Sequence, residues 1–292
     1  MLTSPAKTET RPIRGPACGR YGEGMDAHMD SARSFVVDVG LDEWIHCTDT
    51  GGDGRPVVIL HGLAGSSREF FATAGALPEF RTVLVDLRGH GQSTPIPSDL
   101  SRMAFVADVV QVIKTVVGAP VVLVGQSMGG HTAMLLAAAR PDLVSKLVLL
   151  ETGPGGGSPA EYEGMGDFFR SWPVPFTDRE AACAFLGDGP LPRAWVADLE
   201  ERADGLWPRF EADVMVKTMN DVIIPRWAEW ESVSAPTLVV YGEKGMFSAD
   251  EKSAFVERGR DVRRVDLAGA SHDGHLDTFE EWVAVLRSFL AA

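Results

Sequence analysis

The sequence predicts an α/β fold with a doubly wound, mostly parallel sheet and a helical segment inserted after the sixth strand. Short apolar runs alternate with helical segments through the first half of the chain, which is typical of parallel βαβ units. One such run passes directly through a glycine-flanked serine into a helix. The alternation stops after Leu150 and resumes at Thr237.

The composition excludes several classes of function. The 292-residue chain is 45% hydrophobic and carries a formal net charge of −14, whereas nucleic-acid binding needs clustered Lys and Arg. No apolar run reaches the length of about 18 residues needed to span a membrane, and the N-terminus lacks the apolar core of a secretory signal. The three cysteines are too widely spaced to indicate a disulfide framework or a metal site. We therefore expect a cytoplasmic protein without nucleic-acid or membrane partners.

Three regions are expected along the chain. Residues 1–31 are rich in glycine, proline and charge, which predicts a disordered leader. Residues 32–152 and 235–292 form the predicted α/β core. Its strands are predicted as a hairpin within 34–47, followed by 56–60, 82–85, 121–124, 146–150, 237–241 and 263–267. Its helices are predicted near 67–77, 101–117, 131–139, 250–258 and 278–290.

Residues 153–234 interrupt this alternation of predicted strands and helices. They begin with a Gly/Pro-rich stretch and contain five of the seven tryptophans of the chain. A structureless loop of this length is uncommon inside a domain, so a helical insertion is predicted.

The hexapeptide GQSMGG, from Gly125 to Gly130, is the strongest candidate for chemistry. A serine on a tight strand-to-helix turn is held in a strained backbone geometry, and its neighbours must be nearly free of side chain. The following helix directs the positive end of its dipole towards an anion formed there. This motif alone leaves open a glycine-rich turn with an incidental serine.

Four motifs in order resemble the α/β hydrolase superfamily, from about Ser34 to the C-terminus. They are HGLAGSS at 61–67, DLRGHGQS at 86–93, GQSMGG at 125–130 and GASHDGHLD at 269–277. The resemblance implies that Ser127 is the nucleophile and that His272, in the loop after the last strand, is its base, with His275 as the rival. It also implies that the backbone N–H groups of Leu63 and Met128 form the oxyanion hole.

The acid of the triad departs from the commoner family pattern. Many members carry an aspartate shortly after the seventh strand, where this sequence has Gly245. Glu151 closes the sixth strand, the position from which haloalkane dehalogenases and some other members supply a glutamate. We therefore expect Glu151 to orient His272. Asp250 and Glu243 are the alternative acids, and a purely structural Glu151 is a further possibility.

The insertion is similar to the helical cap of many members of the superfamily. An apolar lid over Ser127 would exclude water and select apolar substrates. Trp172, Trp230, Phe168 and Phe169 are its candidate pocket residues. The alternative is that the tryptophans pack the cap against itself.

These features together predict a serine hydrolase that cleaves a carboxylic ester or lactone of a small, mainly apolar molecule through an acyl-enzyme. The enzymatic alternatives are hydrolysis of a carbon–carbon bond in a ring-cleavage product and a proline-type aminopeptidase. A ligand receptor that has lost turnover is the alternative from another class. We expect a small-molecule substrate, no cofactor, no metal, and a monomer or homodimer.

Overall fold

The computed structural model describes residue 29 and residues 31–292. The strands of this part are β1 Arg33–Gly40, β2 Glu43–Asp49, β3 Pro56–Leu60, β4 Arg81–Val85, β5 Val121–Gln126, β6 Val144–Leu150, β7 Glu200–Arg202, β8 Gly205–Trp207, β9 Thr237–Gly242 and β10 Val262–Leu267. Eight of them form one sheet in the order β1-β2-β4-β3-β5-β6-β9-β10. β2 pairs antiparallel with β1 and β4, and the strands from β4 to β10 in this order run parallel. The predicted mostly parallel sheet is confirmed.

The helices follow the predicted alternation. They are α1 Phe71–Gly75, α2 Arg102–Val112, α3 Met128–Ala139, α4 Pro159–Arg170, α5 Arg179–Leu186, α6 Pro190–Asp198, α7 Ala212–Asn220, α8 Trp227–Ser232, α9 Ala249–Arg258, α10 Gly274–Asp277 and α11 Phe279–Ala291. The predicted helix near 67–77 begins as a 3₁₀ turn, Ser67–Phe70, and α2 continues as a π-helix over Ile113–Val117. Within the described residues, no helix has the length and apolarity to cross a membrane.

The inner parallel strands β3, β4, β5 and β9 are buried on both faces, which explains their apolar runs, whereas the edge strand β10 is mostly half-buried or exposed. On one face, side chains such as Leu123 pack with α2, α3 and α9. On the other face, side chains such as Val124 pack with α1 and α11. Successive side chains along a strand therefore pack against helices on opposite faces of the sheet, as in a doubly wound fold.

The strand register aligns the carboxyl ends of β5 and β6 with each other and with the neighbouring strand β9. Gln126 of β5 pairs with Leu150 of β6, and Leu150 pairs with Val240 of β9. The ladder continues one step further, because the N–H of Ser127 donates to Leu150 O at 2.9 Å and that of Glu151 to Val240 O at 2.8 Å. Ser127 and Glu151 thus leave the sheet side by side at its carboxyl edge, where open α/β sheets bind ligands.

The segment between β6 and β9 contains α4 to α8 and the antiparallel hairpin β7–β8. It is therefore not wholly helical. Much of it has its own apolar cluster, in which Phe169, Trp172 and Phe210 pack together. Its last helix, α8, packs instead with the α/β core through Trp230. The boundaries of the insertion as a separate cap stay a prediction.

Most of the predicted leader lies outside the described residues. Met29 is described, and its side chain is buried against the core. Cys18 also lies outside them. Of the described cysteines, Cys47 is buried with a free thiol, whereas Cys183 is disulfide-bonded, which the wide spacing of the cysteines did not indicate.

Candidate active site

Ser127 lies on a strained turn between the last residue of β5 and the first residue of α3. Its φ is +51° and its ψ is −118°, a conformation that residues with a side chain rarely adopt. Strain of this kind costs about 1–3 kcal/mol and persists only where the surroundings enforce it. A Cβ atom on Gly129 would overlap the carbonyl oxygen of His61, so a larger residue would push α3 away from the loop after β3. The turn has the features of a nucleophile elbow.

Glu151 is held in place to face His272. Its carboxylate is buried, with Oε1 accepting the N–H of Gly242 at 2.6 Å and Oε2 that of Met246 at 3.0 Å. Nδ1 of His272 lies 3.3 Å from Oε2 of Glu151. A carboxylate at Nδ1 favours the tautomer protonated there, which leaves Nε2 free to accept a proton from a serine hydroxyl. Glu151 also has a positive φ of 47°, so the residue after β6 is strained like the serine.

The two alternative acids lie elsewhere. Asp250 and Glu243 are both exposed, and Oε2 of Glu243 accepts the N–H of Gly269 at 2.8 Å. A Cβ atom on Gly245 would overlap Oε1 of Glu151. The glycine in place of the commoner aspartate therefore gives the Glu151 carboxylate its space. Of the three candidate acids, the structure brings Glu151 alone to His272.

His275, the rival base, is fully enclosed behind the cavity. Its ring stacks on Phe70 with centroids 4.3 Å apart, and Nε2 lies 3.7 Å from Oε2 of Glu69. Burial lowers the pKa of His275 to about 4. It is absent from the cavity wall, whereas Ser127 and His272 both line it.

Leu63 and Met128, the expected oxyanion donors, line the same cavity as Ser127. The N–H of Met128 is the first of α3, and the first N–H groups of a helix have no intrahelical acceptor. The loop of Leu63 is fixed by His61. Nε2 of His61 accepts the N–H of Leu87 at 2.9 Å, so Nδ1 carries the proton and donates to Gly62 O at 2.7 Å.

Asp86, from the DLRGHGQS motif, has a scaffold role. It accepts the N–H groups of Ser67 at 2.7 Å and Gln92 at 2.9 Å, and it pairs with Nδ1 of His46 at 3.0 Å. Burial alone would raise its pKa, but these hydrogen bonds and the nearby His61 lower it to about 2. Asp86 therefore joins the loops after β3 and β4 to the first hairpin.

A cavity of about 610 Å³ extends from Ser127 between the core and the insertion, within the usual range of ligand pockets. The insertion contributes an apolar and aromatic wall: Tyr162, Met165, Phe168 and Phe169 of α4, and Leu191 and Trp195 of α6. Two of the four predicted pocket residues, Phe168 and Phe169, thus line it. The spacing of three and four residues along α4 is the periodicity of one helix face, and it could have revealed Tyr162 and Met165 from the sequence.

The structure corrects the prediction for Trp172 and Trp230, since neither lines the cavity. Trp172 packs inside the insertion against Trp195 and Phe210, at centroid distances of 5.3 and 5.4 Å. Trp230 is completely buried, stacks on Phe255 at 4.1 Å and donates its indole N–H to the Phe255 carbonyl at 2.7 Å. Both tryptophans therefore belong to internal packing and not to the wall of the cavity.

The charged lining residues are acidic. They are Glu69, Glu151, Glu161, Glu251 and Asp273, and no Lys or Arg occurs among the described lining residues. Burial raises the pKa of Glu69 to about 7 and also raises that of Asp273. Sequence reasoning missed both. In the described part of the chain, no three His, Cys, Asp or Glu side chains are grouped so that they could hold a metal ion.

An elbow of this kind, at the carboxyl edge of a doubly wound sheet, defines the class of hydrolases whose nucleophile lies on a strand-to-helix turn. The comparison with known families agrees with this class. The family model described as alpha/beta hydrolase fold matches residues 55–279, and the chain belongs to this family of enzymes.

The relatives of this chain are named for different activities. The chain is 29% identical to the sn-1-specific diacylglycerol lipase ABHD11 of Mus musculus, over 80% of each chain. It is 36% identical to a 2-hydroxy-6-oxononadienedioate/2-hydroxy-6-oxononatrienedioate hydrolase of Paraburkholderia phymatum, over 75% of this chain and 82% of the relative. The crystal structure of E-2-(acetamidomethylene)succinate hydrolase matches the fold with a TM-score of 0.81 at 24% identity, covering 89% of this chain and all of that one.

Proposed function

We propose that this enzyme is a serine hydrolase that cleaves a carboxylic ester or lactone of a small, mainly apolar molecule through an acyl-enzyme on Ser127. One observation carries the proposal: a buried carboxylate, Glu151, faces Nδ1 of His272 in a cavity that Ser127 also lines. The 29% identity to a relative named as a lipase supports it.

The proposed reaction begins when Nε2 of His272 takes the proton of Ser127 as the serine oxygen attacks the carbonyl carbon. The N–H groups of Leu63 and Met128 stabilise the negative charge that develops on the carbonyl oxygen. His272 then gives its proton to the departing alkoxide, which leaves an ester on Ser127. In the second half, His272 takes a proton from water, the hydroxide attacks that ester, and the proton returns to the serine oxygen as the acid is released.

Residues 153–234 are proposed to act as a cap over this chemistry. Support comes from the aromatic and aliphatic side chains of α4 and α6 that line the same cavity as Ser127. An apolar wall in the cavity that holds a reacting carbonyl excludes water and favours apolar acyl or alcohol groups.

Hydrolysis of a carbon–carbon bond is the second candidate, because the Paraburkholderia relative is 36% identical to this chain. The substrate in that relative's name is a dioate, which carries two carboxylates. The cavity described above has acidic side chains and no described Lys or Arg in its lining, so binding a dianion there would be electrostatically unfavourable. The charge of the cavity therefore favours an ester with a neutral acyl group.

Labelling with a fluorophosphonate tests the class of activity, with Ser127→Ala as the control. We expect labelling of the wild type at Ser127 and none of the variant. Folded wild-type protein that stays unlabelled would contradict the proposal and favour a ligand receptor.

A panel of matched substrates tests the bond that is cleaved. We expect p-nitrophenyl butyrate to be hydrolysed at least about tenfold faster, in kcat/KM, than p-nitrophenyl hemisuccinate, because the second carries a free carboxylate. Faster cleavage of a dienedioate than of any ester or lactone would favour carbon–carbon hydrolysis. Preferential release of proline from a peptide amide would favour the aminopeptidase.

A further inference from the structure

Thr152 follows Glu151 directly and contacts the nucleophile turn. Its side chain is buried, and its hydroxyl donates to the carbonyl oxygen of Ser127 at 2.9 Å. The carbonyl of Leu150 is a second acceptor, but at 3.4 Å it is the weaker one. The carbonyl of Thr152 in turn accepts the hydroxyl of Tyr241 at 3.1 Å, so the backbone of this residue is fixed from β9.

The Ser127 carbonyl belongs to the same peptide unit as the N–H of Met128. That N–H is one of the two donors proposed for the oxyanion. A hydrogen bond to the carbonyl end of an amide polarises it and makes its N–H end a stronger donor. The same bond fixes the plane of the peptide, and the direction of a preorganised donor determines how well it stabilises a transition state.

The space for this hydroxyl comes from Gly130. A Cβ atom at Gly130 would overlap Oγ1 of Thr152. The nucleophile elbow requires small residues on either side of the serine, Gly125 and Gly129, but it does not require the glycine at 130. The contact with Thr152 explains why a glycine, and not a larger residue, occupies position 130.

We propose that Thr152 is a positioning residue that acts through the Ser127–Met128 peptide, holding the Met128 N–H towards the oxyanion of the reacting substrate. This inference rests on the proposed function. Two consecutive residues after β6 then support both halves of the chemistry, because Glu151 orients the base and Thr152 orients the oxyanion donor. The carbonyl of the strained Ser127 accepts two hydrogen bonds, one from this hydroxyl at 2.9 Å and one from the N–H of His131 in α3 at 3.0 Å.

The test compares Thr152→Val, which removes the hydroxyl at nearly constant shape, with Thr152→Ser, which keeps it. For the Val variant we expect kcat for p-nitrophenyl butyrate to fall by about tenfold with KM unchanged, since the contact acts on the transition state. Affinity for an alkyl boronic acid, which forms a tetrahedral anion on serine, is expected to fall by the same factor. The Ser variant is expected to stay within about threefold of the wild type in both measurements.

A purely structural role predicts a different pattern. Val substitution would then lower the melting temperature and leave the kcat and boronate affinity of the folded fraction unchanged, which would overturn the inference. If the Val variant does not fold, Thr152→Ala removes the same hydroxyl without a methyl beside Gly130. Fluorophosphonate labelling of the wild type separates the two proposals. An unlabelled wild type refutes the proposed function and this inference together, whereas a labelled wild type with an unaffected Val variant refutes the role of Thr152 alone.

Discussion

The carboxyl edge of the sheet and the inserted segment hold their cavity residues in different ways. At the edge, backbone hydrogen bonds fix each group: the N–H of Ser127 donates to Leu150, and the N–H of Gly242 donates to Glu151. In the insertion, Phe168 and Trp195 are held by aromatic contacts, with centroids 6.2 Å apart. Directional bonds specify atomic positions, whereas apolar contacts tolerate rearrangement. This difference agrees with the proposed division, in which the edge carries the chemistry and the insertion selects the substrate.

The largest effect is expected from Glu151→Gln at the sheet edge. The amide removes the negative charge behind His272 and turns an N–H₂ group towards the ring or towards the backbone donors that now hold the carboxylate. We expect kcat to fall by about 10⁴-fold, as for other triads whose acid becomes an amide. Steady-state kinetics with Asp250→Asn as the matched control checks this. A large loss in the control and none in Glu151→Gln would identify Asp250 as the acid.

Gly245→Ala is expected to have the next largest effect. The new methyl group overlaps Oε1 of Glu151, so the carboxylate has to move away from His272. We expect kcat to fall by about 10²-fold without loss of the fold, because a displaced triad member loses its alignment. The control is Gly164→Ala on α4, where the added methyl meets open space. Equal activity of the two variants would show that the Glu151 position tolerates displacement.

Glu69→Gln is expected to change how stability depends on pH. Burial raises the pKa of Glu69 in the folded protein to about 7, well above the value of 4.5 for an unperturbed glutamate. Between these two values the folded state keeps a proton that the unfolded state has lost, so this group destabilises the fold as pH rises. The stability of Glu69→Gln relative to the wild type should therefore increase by roughly 3 kcal/mol from pH 4 to pH 8.

Urea unfolding of both proteins across this pH range measures the difference. The exposed Glu257→Gln serves as the control, and its difference from the wild type is expected to stay constant. A constant difference for Glu69→Gln as well would mean that its carboxyl is solvated in the folded protein.

The contrast between the two regions also explains what the sequence could predict. Ser127 and Glu151 follow short strands whose apolar runs are visible in the sequence, His272 lies in the loop after the more polar β10, and parallel strands bring their carboxyl ends to one edge. Gly245 was also informative, because a glycine where many relatives have the acidic aspartate directed the search for the acid to Glu151. The strand order placed these residues at one edge of the sheet, and the resemblance of the four motifs to the α/β hydrolase superfamily supplied their expected roles.

The wall of the cavity could be predicted only in part, along one face of α4, and the tryptophans of the insertion could not be assigned in this way. Trp172, Trp195 and Trp230 all lie in the Trp-rich insertion, and the sequence does not distinguish them. Of the three, Trp195 alone lines the cavity. Which side of a short helix faces a cavity depends on how the helices cross, and local sequence does not specify that. Glu69 was missed for a related reason: it follows the loop that carries Leu63, and its burial comes from contacts with residues about 200 positions later, such as His275.

The smallest effect is expected in the insertion, from Phe168→Ala. Phe168 lines the cavity and is 45% exposed, while Phe185 on α5 is equally exposed but does not line it, which makes Phe185→Ala a matched control. Truncation of Phe168 removes apolar contact with an acyl chain and leaves the catalytic groups in place. We expect KM for p-nitrophenyl hexanoate to rise by about five- to tenfold with little change in kcat, and the control to stay within about twofold. A rise in KM alone would support substrate selection by the insertion. A loss confined to kcat would contradict it and would mean that α4 helps to align the groups at the sheet edge.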